Sequence, residues 1–364
     1  MKLRFRIEKI IRLFEKKLTP LNRITVSREK ILSNYDSFVE KGGGKEFWPV
    51  MKANAYGCGI EQITEILDGK DFEYWVVDSY AETLKIWEKS RKKVLLIGPI
   101  LRDNYQYIDF KKITLSVQTM GDLEVLGKLN KDIRIHLKVN TGMNRQGFEI
   151  EEMEELIKML KKYPKIEVEG IFSHLADAEN EDNSFIEKQE EEFKKVLNIL
   201  EQNGIRPRWV HLAASAGAFK TKDKRINAVR LGIGLFEGGV RLISTITKAR
   251  WTKKGEKVSY GGTYTMKEDG WLGVIPVGYY EALDRKLSNR GVVEYKDRYY
   301  PIVGNICMNM MMVDFGKTKI AEGEEVEVIG TNGANSFKEM AVKCATIDYE
   351  LMTRLNSSIR REII

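Results

Sequence analysis

Lys52 follows directly on the apolar run Phe47–Met51, in the segment VMKANAYGCG. A lysine that leaves a buried strand is expensive unless it is paired or hydrogen-bonded. Either it snorkels to solvent, or its desolvated amine is a nucleophile able to form a Schiff base with a cofactor aldehyde. Later apolar runs end in comparable fashion. Lys138 and Arg145 lie in KVNTGMNRQGF, His174 in GIFSHLADAEN, and His211 and Ser215 in VHLAASAG. Arg230 is followed by Gly232 and Ile233 in VRLGIGLF. Ser215 and the amides near Gly232 and Ile233 suit a phosphate, since glycine turns let backbone N–H groups approach closely. A lysine, a phosphate site, and a histidine and arginine to contact a ring fit pyridoxal 5'-phosphate (PLP) better than any other cofactor.

Competing chemistries fit less well. The three histidines and three cysteines form no HxxxH or CxxC pair, so no metal site is expected. Ser215 lacks the G-x-S-x-G elbow, which weakens a Ser–His–Asp reading with His174. His136 and His211 read as strand histidines rather than catalytic ones.

The elements needed to position these residues are legible as an alternation. Strand candidates are Phe47–Met51, Phe72–Val77, Val94–Gly98, Ile113–Val117, Ile133–Val139, Val168–Phe172, Trp209–Leu212 and Ala228–Leu231. Amphipathic helices such as 151–162 and 184–203 separate them, the pattern of parallel strands with helical crossovers. Eight repeats predict a (β/α)8 TIM-type barrel, whose active site lies at the C-terminal strand ends. A doubly wound sheet needs a glycine-rich turn after its first strand. Here Gly42-Gly43-Gly44 precedes that strand instead. After residue 240 strand-like runs crowd together between turn signals such as Tyr295-Lys296-Asp297, which predicts a mostly antiparallel β domain.

The net charge of +7 is unevenly placed. Residues 1–23 hold eight basic and two acidic groups, against 52 and 51 in the rest. The body is near neutral, so no nucleic-acid partner is expected. Leu3, Ile7, Ile10, Ile11, Phe14 and Leu18 form one stripe of a basic helix. Membrane contact through residues 1–18 is one use of such a stripe, and packing on the protein's own body is the favoured one. The chain lacks a signal-peptide core and any run approaching the ~20 apolar residues of a membrane span. Three scattered cysteines fit a reducing cytoplasm, the expected location.

VMKANAYGCG resembles the PLP-lysine signature of the alanine racemase family. The resemblance continues in order through KVNTGMNRQGF, SHLADAEN, HLAASAG, RLGIGLF, KVSYGGTYT, IPVGYYEALDRKLSNRG, PIVGNICMNMMMVDFG and TIDYEL. It implies a PLP-binding barrel over residues 23–240 and a C-terminal β domain over 241–364, with residues 1–22 as an added N-terminal helix. It implies racemisation of L-alanine to D-alanine for peptidoglycan. A racemase of serine or another small amino acid, and a non-catalytic PLP-binding barrel, are the alternatives.

By the same resemblance, Lys52 carries PLP and is one acid/base group. Tyr260 is the other, acting on the opposite face from the partner subunit of a homodimer with shared active sites. Arg230 bonds the pyridine nitrogen and His174 lies against the ring. Tyr56, Ser215, Gly232 and Ile233 hold the phosphate, while Arg145 and Met308 sit near the carboxylate of a small amino-acid substrate. Lys138 matches a position that is carbamylated in many members. Departures from the pattern are Cys58 for histidine, Ala214 for asparagine, Asn309 for aspartate, and Ser357 or Ser358 for tyrosine. With Asn309 in place of the aspartate, a negative group near the substrate pocket is expected to be missing.

Overall fold

Short runs rich in Val, Ile, Leu and aromatic residues, buried on both faces, can only be strands of a sheet covered on both sides. That is how the first two thirds of the chain folds. The structure is a computed structural model describing residues 18–364. The helix expected over residues 1–18 lies outside the described residues except for Leu18. The described residues divide into two units, Arg28–Glu237 and the residues up to Ser27 together with Gly238–Ile364. The first strand, β1 (Arg23–Val26), belongs to the second of these.

The unit Arg28–Glu237 contains β2 (Glu46–Pro49), β3 (Tyr74–Val77), β4 (Lys93–Leu96), β5 (Ile113–Val117), β6 (Ile133–Lys138), β7 (Ile166–Phe172), β8 (Trp209–Ala214) and β9 (Ala228–Leu231). Neighbours pair in parallel in the order β2-β9-β8-β7-β6-β5-β4-β3. A parallel bridge between Val50 and Val76 draws the two edges together into a barrel. Helices cover the outside. Met153–Lys162 buries Met153, Leu156, Ile157 and Leu160, one stripe of a helix.

The barrel interior is aromatic and polar at once. Trp48 meets Tyr74, Trp209 and His211 at ring separations of 5.2, 5.2 and 5.0 Å. Glu169, buried, accepts hydrogen bonds from Tyr74 Oη (2.5 Å) and Thr114 Oγ1 (3.2 Å). Burial and that carboxylate push the Tyr74 phenol far up, so it stays protonated as a donor.

The other unit holds β10 (Val240–Thr245), β11 (Lys248–Thr252), β12 (Lys257–Val258), β13 (Tyr264–Thr265), β14 (Gly270–Ile275), β15 (Val292–Tyr295), β16 (Arg298–Val303), β17 (Met311–Gly316), β18 (Glu325–Ile329) and β19 (Arg360–Ile363). Its main sheet runs β11-β14-β17-β16-β15-β18-β10-β1-β19, antiparallel except for β1 against β19. The β15–β16 hairpin turns on Lys296 and Asp297, both at positive φ, as a two-residue primed turn requires.

Two expectations need correction. The barrel does not begin at residue 23, nor run to 240. Arg23–Val26 pairs in full register with Val240–Ile243 and with Arg360–Ile363, so its hydrogen bonds are spent in the β sheet. The N-terminal strand therefore joins the C-terminal unit, bounded by Ser27 and Gly238.

Candidate active site

Strand β2 ends one turn before Lys52, and the chain then does something unusual. Ala53, Asn54, Ala55 and Tyr56 all have φ between 52 and 56°, a left-handed turn built without glycine until Gly57. Such backbone costs roughly 1–2 kcal/mol per residue. The turn satisfies itself in part, Ala55 N–H donating to Met51 O and Gly57 N–H to Ala53 O, both at 2.9 Å. Its first amide, Ala53 N–H, donates to Glu82 Oε1 at 2.7 Å. The turn places the Lys52 Nζ 5.8 Å from the centre of the Tyr56 ring. Crowding lowers the Lys52 pKa, chiefly through lost solvation. Asp78 opposes the shift, and Arg145 and Arg230 add to it.

Tyr56 reaches the turn after β9. A Cβ on Gly232 would lie 2.5 Å from the Tyr56 Oη, so that position admits only glycine without rearrangement. Ser215, following β8, accepts from Gly232 N–H (3.0 Å) and Gly234 N–H (3.2 Å). Tyr56, Ser215, Gly232 and Ile233 thus share one corner of the barrel mouth. Loss of solvation pushes the Tyr56 phenol up to about 12, with Arg230 opposing, so it is a neutral donor.

Arg230, on β9, is 3% exposed and surrounded by acceptors. Nη1 donates to His211 Nδ1 (2.6 Å) and Nη2 to His174 Nδ1 (3.0 Å), Ser173 O (2.8 Å) and Leu212 O (3.1 Å). Burial lowers its pKa to about 9, which leaves it cationic near neutrality. A guanidinium has no acceptor, so both histidine Nδ1 atoms must carry lone pairs. His211 then holds its proton on Nε2 and donates it to His136 Nδ1, 2.8 Å away. His136 Nε2 in turn is a buried donor with no partner among the described residues. Burial first, and Arg230's charge second, lower His136 and His174 to about 3 and His211 well below its usual value. All three rings are neutral.

Lys138, at the end of β6 and 7% exposed, donates to Gln146 Oε1 at 2.6 Å. Burial lowers its pKa to about 8, Arg145 and Arg230 contributing. Arg145 is exposed on the loop that returns to β6 by the Val139–Phe148 bridge. Gly147, at φ +117°, permits that return, because a Cβ there would lie 2.7 Å from the backbone of Val139.

The barrel unit thus brings together Lys52, Tyr56, His174, Ser215, Arg230 and Gly232–Ile233, with Lys138 and Arg145 within electrostatic reach. Tyr260 and Met308 belong to the β unit and are 75% and 56% exposed there. Asn305 Nδ2 donates to Tyr260 O at 2.8 Å, fixing that turn. Asn309 Nδ2 donates to Glu281 Oε1 at 2.8 Å, and Glu281 is a buried carboxylate that also accepts from Gly278 N–H. Ser357 and Ser358 are exposed in the same unit. The contacts of Glu82, Gln146 and Glu281 were not foreseen from the sequence, nor was the hydrogen-bond chain that joins the strand histidines His136 and His211 to Arg230. The spacing Ser79-x-x-Glu82 was a signal for Glu82, since it is a capping box.

Arg230 keeps a donor of the kind that PLP needs. Of Arg230's nitrogens, only the terminal pair is used in the hydrogen bonds seen among the described residues, which leaves Nε–H for an external acceptor such as a pyridine nitrogen. Among the described residues no cluster of three or more His, Cys, Asp or Glu side chains forms a metal site, and no helix is long and apolar enough to cross a membrane.

An all-parallel eight-stranded barrel with lysine, arginine and a hydroxyl–glycine turn at its C-terminal mouth, joined to an antiparallel-rich β unit, defines the class of barrel enzyme that the motifs resemble. Residues 26–239 match the alanine racemase N-terminal domain and 239–363 the alanine racemase C-terminal domain. The alanine racemase of Fusobacterium nucleatum is 32% identical over 94% of this chain and 99% of its own length. That of Aquifex pyrophilus is 30% identical over 94% and 98%. The crystal structure of the E. faecalis alanine racemase superposes with a TM-score of 0.87 at 27% identity, over 94% of this chain and 98% of that one. The Bartonella henselae alanine racemase, solved with covalently bound pyridoxal phosphate, gives 0.86 at 26% identity, over 95% and 100%. The chain belongs to the alanine racemase family.

Proposed function

We propose that this protein interconverts L- and D-alanine with PLP, supplying D-alanine for peptidoglycan. One observation carries the reading: a lysine of lowered pKa shares the barrel mouth with a buried arginine whose Nε–H is left for a ring nitrogen. When bound, PLP delocalises the negative charge that develops at the substrate's Cα. Lys52 would hold the cofactor covalently, and Tyr56, Ser215, Gly232 and Ile233 its phosphate. Arg230 would donate to the pyridine nitrogen. Because a guanidinium does not readily give up a proton, that nitrogen stays unprotonated. The sink is then weaker, which limits side reactions. His174, neutral and bonded to Arg230, would lie beside the ring.

Racemisation needs one proton-transfer group on each face of Cα. Lys52 would serve one face at its Nζ, since its lowered pKa makes the neutral amine accessible. Tyr260 Oη would serve the other, from the partner subunit of a homodimer. Its exposure in the single chain supports this reading, as do the exposed neighbours Tyr279, Tyr280, Met308 and Met310 in the same unit. Arg145 and Met308 would contact the substrate carboxylate. The pKa of about 8 at Lys138 leaves a fraction of neutral amine to react with carbon dioxide, losing a proton to give a carbamate. A chiral assay over the small L-amino acids with added PLP tests the function. Alanine should racemise fastest; serine turned over faster than alanine, or no turnover at all, would overturn it.

A further inference from the structure

We propose that Glu82 is a positioning residue for the cofactor lysine: its carboxylate pins the left-handed turn that carries both Lys52 and Tyr56. This deepens the function proposed above and rests on it.

Four successive non-glycine residues at positive φ persist only where the surroundings over-determine them. The internal hydrogen bonds of the turn use the amides of Ala55, Gly57 and Cys58, and the Asn54 side chain accepts from Ile60 N–H at 3.0 Å. The Ala53 amide is bonded to a different βα unit. It donates to Glu82 Oε1, in the helix Tyr80–Trp87 that follows β3. The carboxylate is itself fixed, since Oε2 accepts from Asp78 N–H (2.9 Å) and Ser79 N–H (3.1 Å). Ser79 Oγ completes the capping box by accepting from Glu82 N–H. One side chain therefore ties the strained turn after β2 to a capped helix after β3. Ala53 is the residue next to Lys52, so its amide direction sets where the lysine leaves the backbone. Tyr56 sits at the far end of the same turn and takes its place against Gly232. Capping the helix alone would need only the contacts to Asp78 and Ser79; the bond to Ala53 reaches beyond that role.

The test compares wild type, Glu82→Gln and Ser79→Ala for PLP dissociation constant, kcat, KM and Tm. Glutamine keeps the shape but turns one acceptor into a donor, so one side of the bridge is left unpaired. Ser79→Ala weakens the same cap without touching Ala53. Glu82→Gln should weaken PLP binding at least tenfold and lower kcat, while Ser79→Ala lowers Tm and leaves PLP binding and kcat within twofold. Adding Ala53→Gly to Glu82→Gln should recover PLP affinity at least threefold, because glycine takes positive φ without strain. PLP affinity within twofold of wild type in Glu82→Gln, an equal loss in Ser79→Ala, or no recovery with glycine would each overturn the proposal. If Glu82→Gln does not fold, Glu82→Asp, with its shorter arm, is read by the same criteria. A wild type that binds no PLP overturns the proposed function as well; a PLP-binding wild type with an unaffected Glu82 variant overturns the positioning alone.

Discussion

At the barrel mouth three of the proposed residues are held by their neighbours: Arg230 by two histidines and three carbonyls, Ser215 by two amides, and Lys138 by Gln146. In the β unit the proposed residues stand free of such cover, Tyr260 being the most exposed of its aromatic and methionine neighbours there. Burial lowers the pKa values of Lys52, Lys138 and Arg230. The exposed set waits for a surface, which a second copy would supply. On the function proposed above, folding builds one half of the acid/base pair, and association with a second copy would supply the other.

The largest effects should come from breaking each half in turn. Lys52→Ala should lower racemisation by about 10⁴-fold or more, roughly 5 kcal/mol of barrier, and abolish the visible absorbance of bound PLP. Tyr260→Phe should cost about 10²–10⁴-fold, the range for one general acid/base group, and slow one direction more than the other. PLP absorbance should survive in Tyr260→Phe. Its loss there would mean that the barrel half is not complete on its own.

Stability should divide along the same line. Arg230→Met leaves the acceptors around it unpaired in the barrel interior, and should destabilise the protein by about 3–5 kcal/mol. Tyr260→Phe, at an exposed site, should stay within about 0.5 kcal/mol. Denaturant titration reads both. A small effect at Arg230 would show that the buried arginine is not fixed by its partners.

Acid should act on the barrel next. His136 and His174 have pKa values near 3 when folded, against about 6.5 when unfolded. Between those values the unfolded chain binds more protons, so stability rises with pH, is fully present above about 6.5 and is lost as the pH falls. At pH 5 each such histidine costs about 2 kcal/mol. Arg230 and His211 face them and bar protonation from the inside. Replacing His136 by glutamine should flatten the dependence of stability on pH by about one proton. An unchanged slope would mean that His136 titrates in the folded state.

The eight barrel strands were legible because each is a short apolar run bounded by more polar segments, a local pattern. Ile113–Val117 and Ala228–Leu231 agree residue for residue, and the other runs overlap their strands. The strands β1 and β19 were not legible. Their apolar content is modest, and their partners are distant in the chain: β1 pairs with β10 and β19, and β19 with β1. The proposed site residues carried by motifs, such as Lys52 and Arg230, stood out for the same local reason. The contacts of Glu82 and Glu281 did not stand out, because they depend on whose amide each carboxylate reaches. His136 and His211 looked like strand histidines, and they are; only the hydrogen-bond chain to Arg230 distinguishes them.

The smallest effect sharpens the contrast from the β-unit side. The barrel's left-handed turn is strained but tied to Glu82 and placed at the proposed cofactor site. The β unit has a strained residue of its own, Ala282, at φ +145°, buried within GYYEALDR. Its amide makes only a long bond, 3.4 Å to Gly278 O. Strain of this kind costs on the order of 1–3 kcal/mol. Glycine removes it, at an entropic cost in the unfolded chain of roughly 0.5–1 kcal/mol. Ala282→Gly should therefore stabilise the protein by about 1 kcal/mol and raise Tm by about 2 °C. In the barrel turn the balance runs the other way for function, since glycine at Ala53 with Glu82 intact loosens the backbone beside Lys52 that the carboxylate already holds. If Ala282→Gly lowers Tm instead, the surroundings of Ala282 fix it as firmly as Glu82 fixes Ala53, and the difference between the two regions lies in exposure alone.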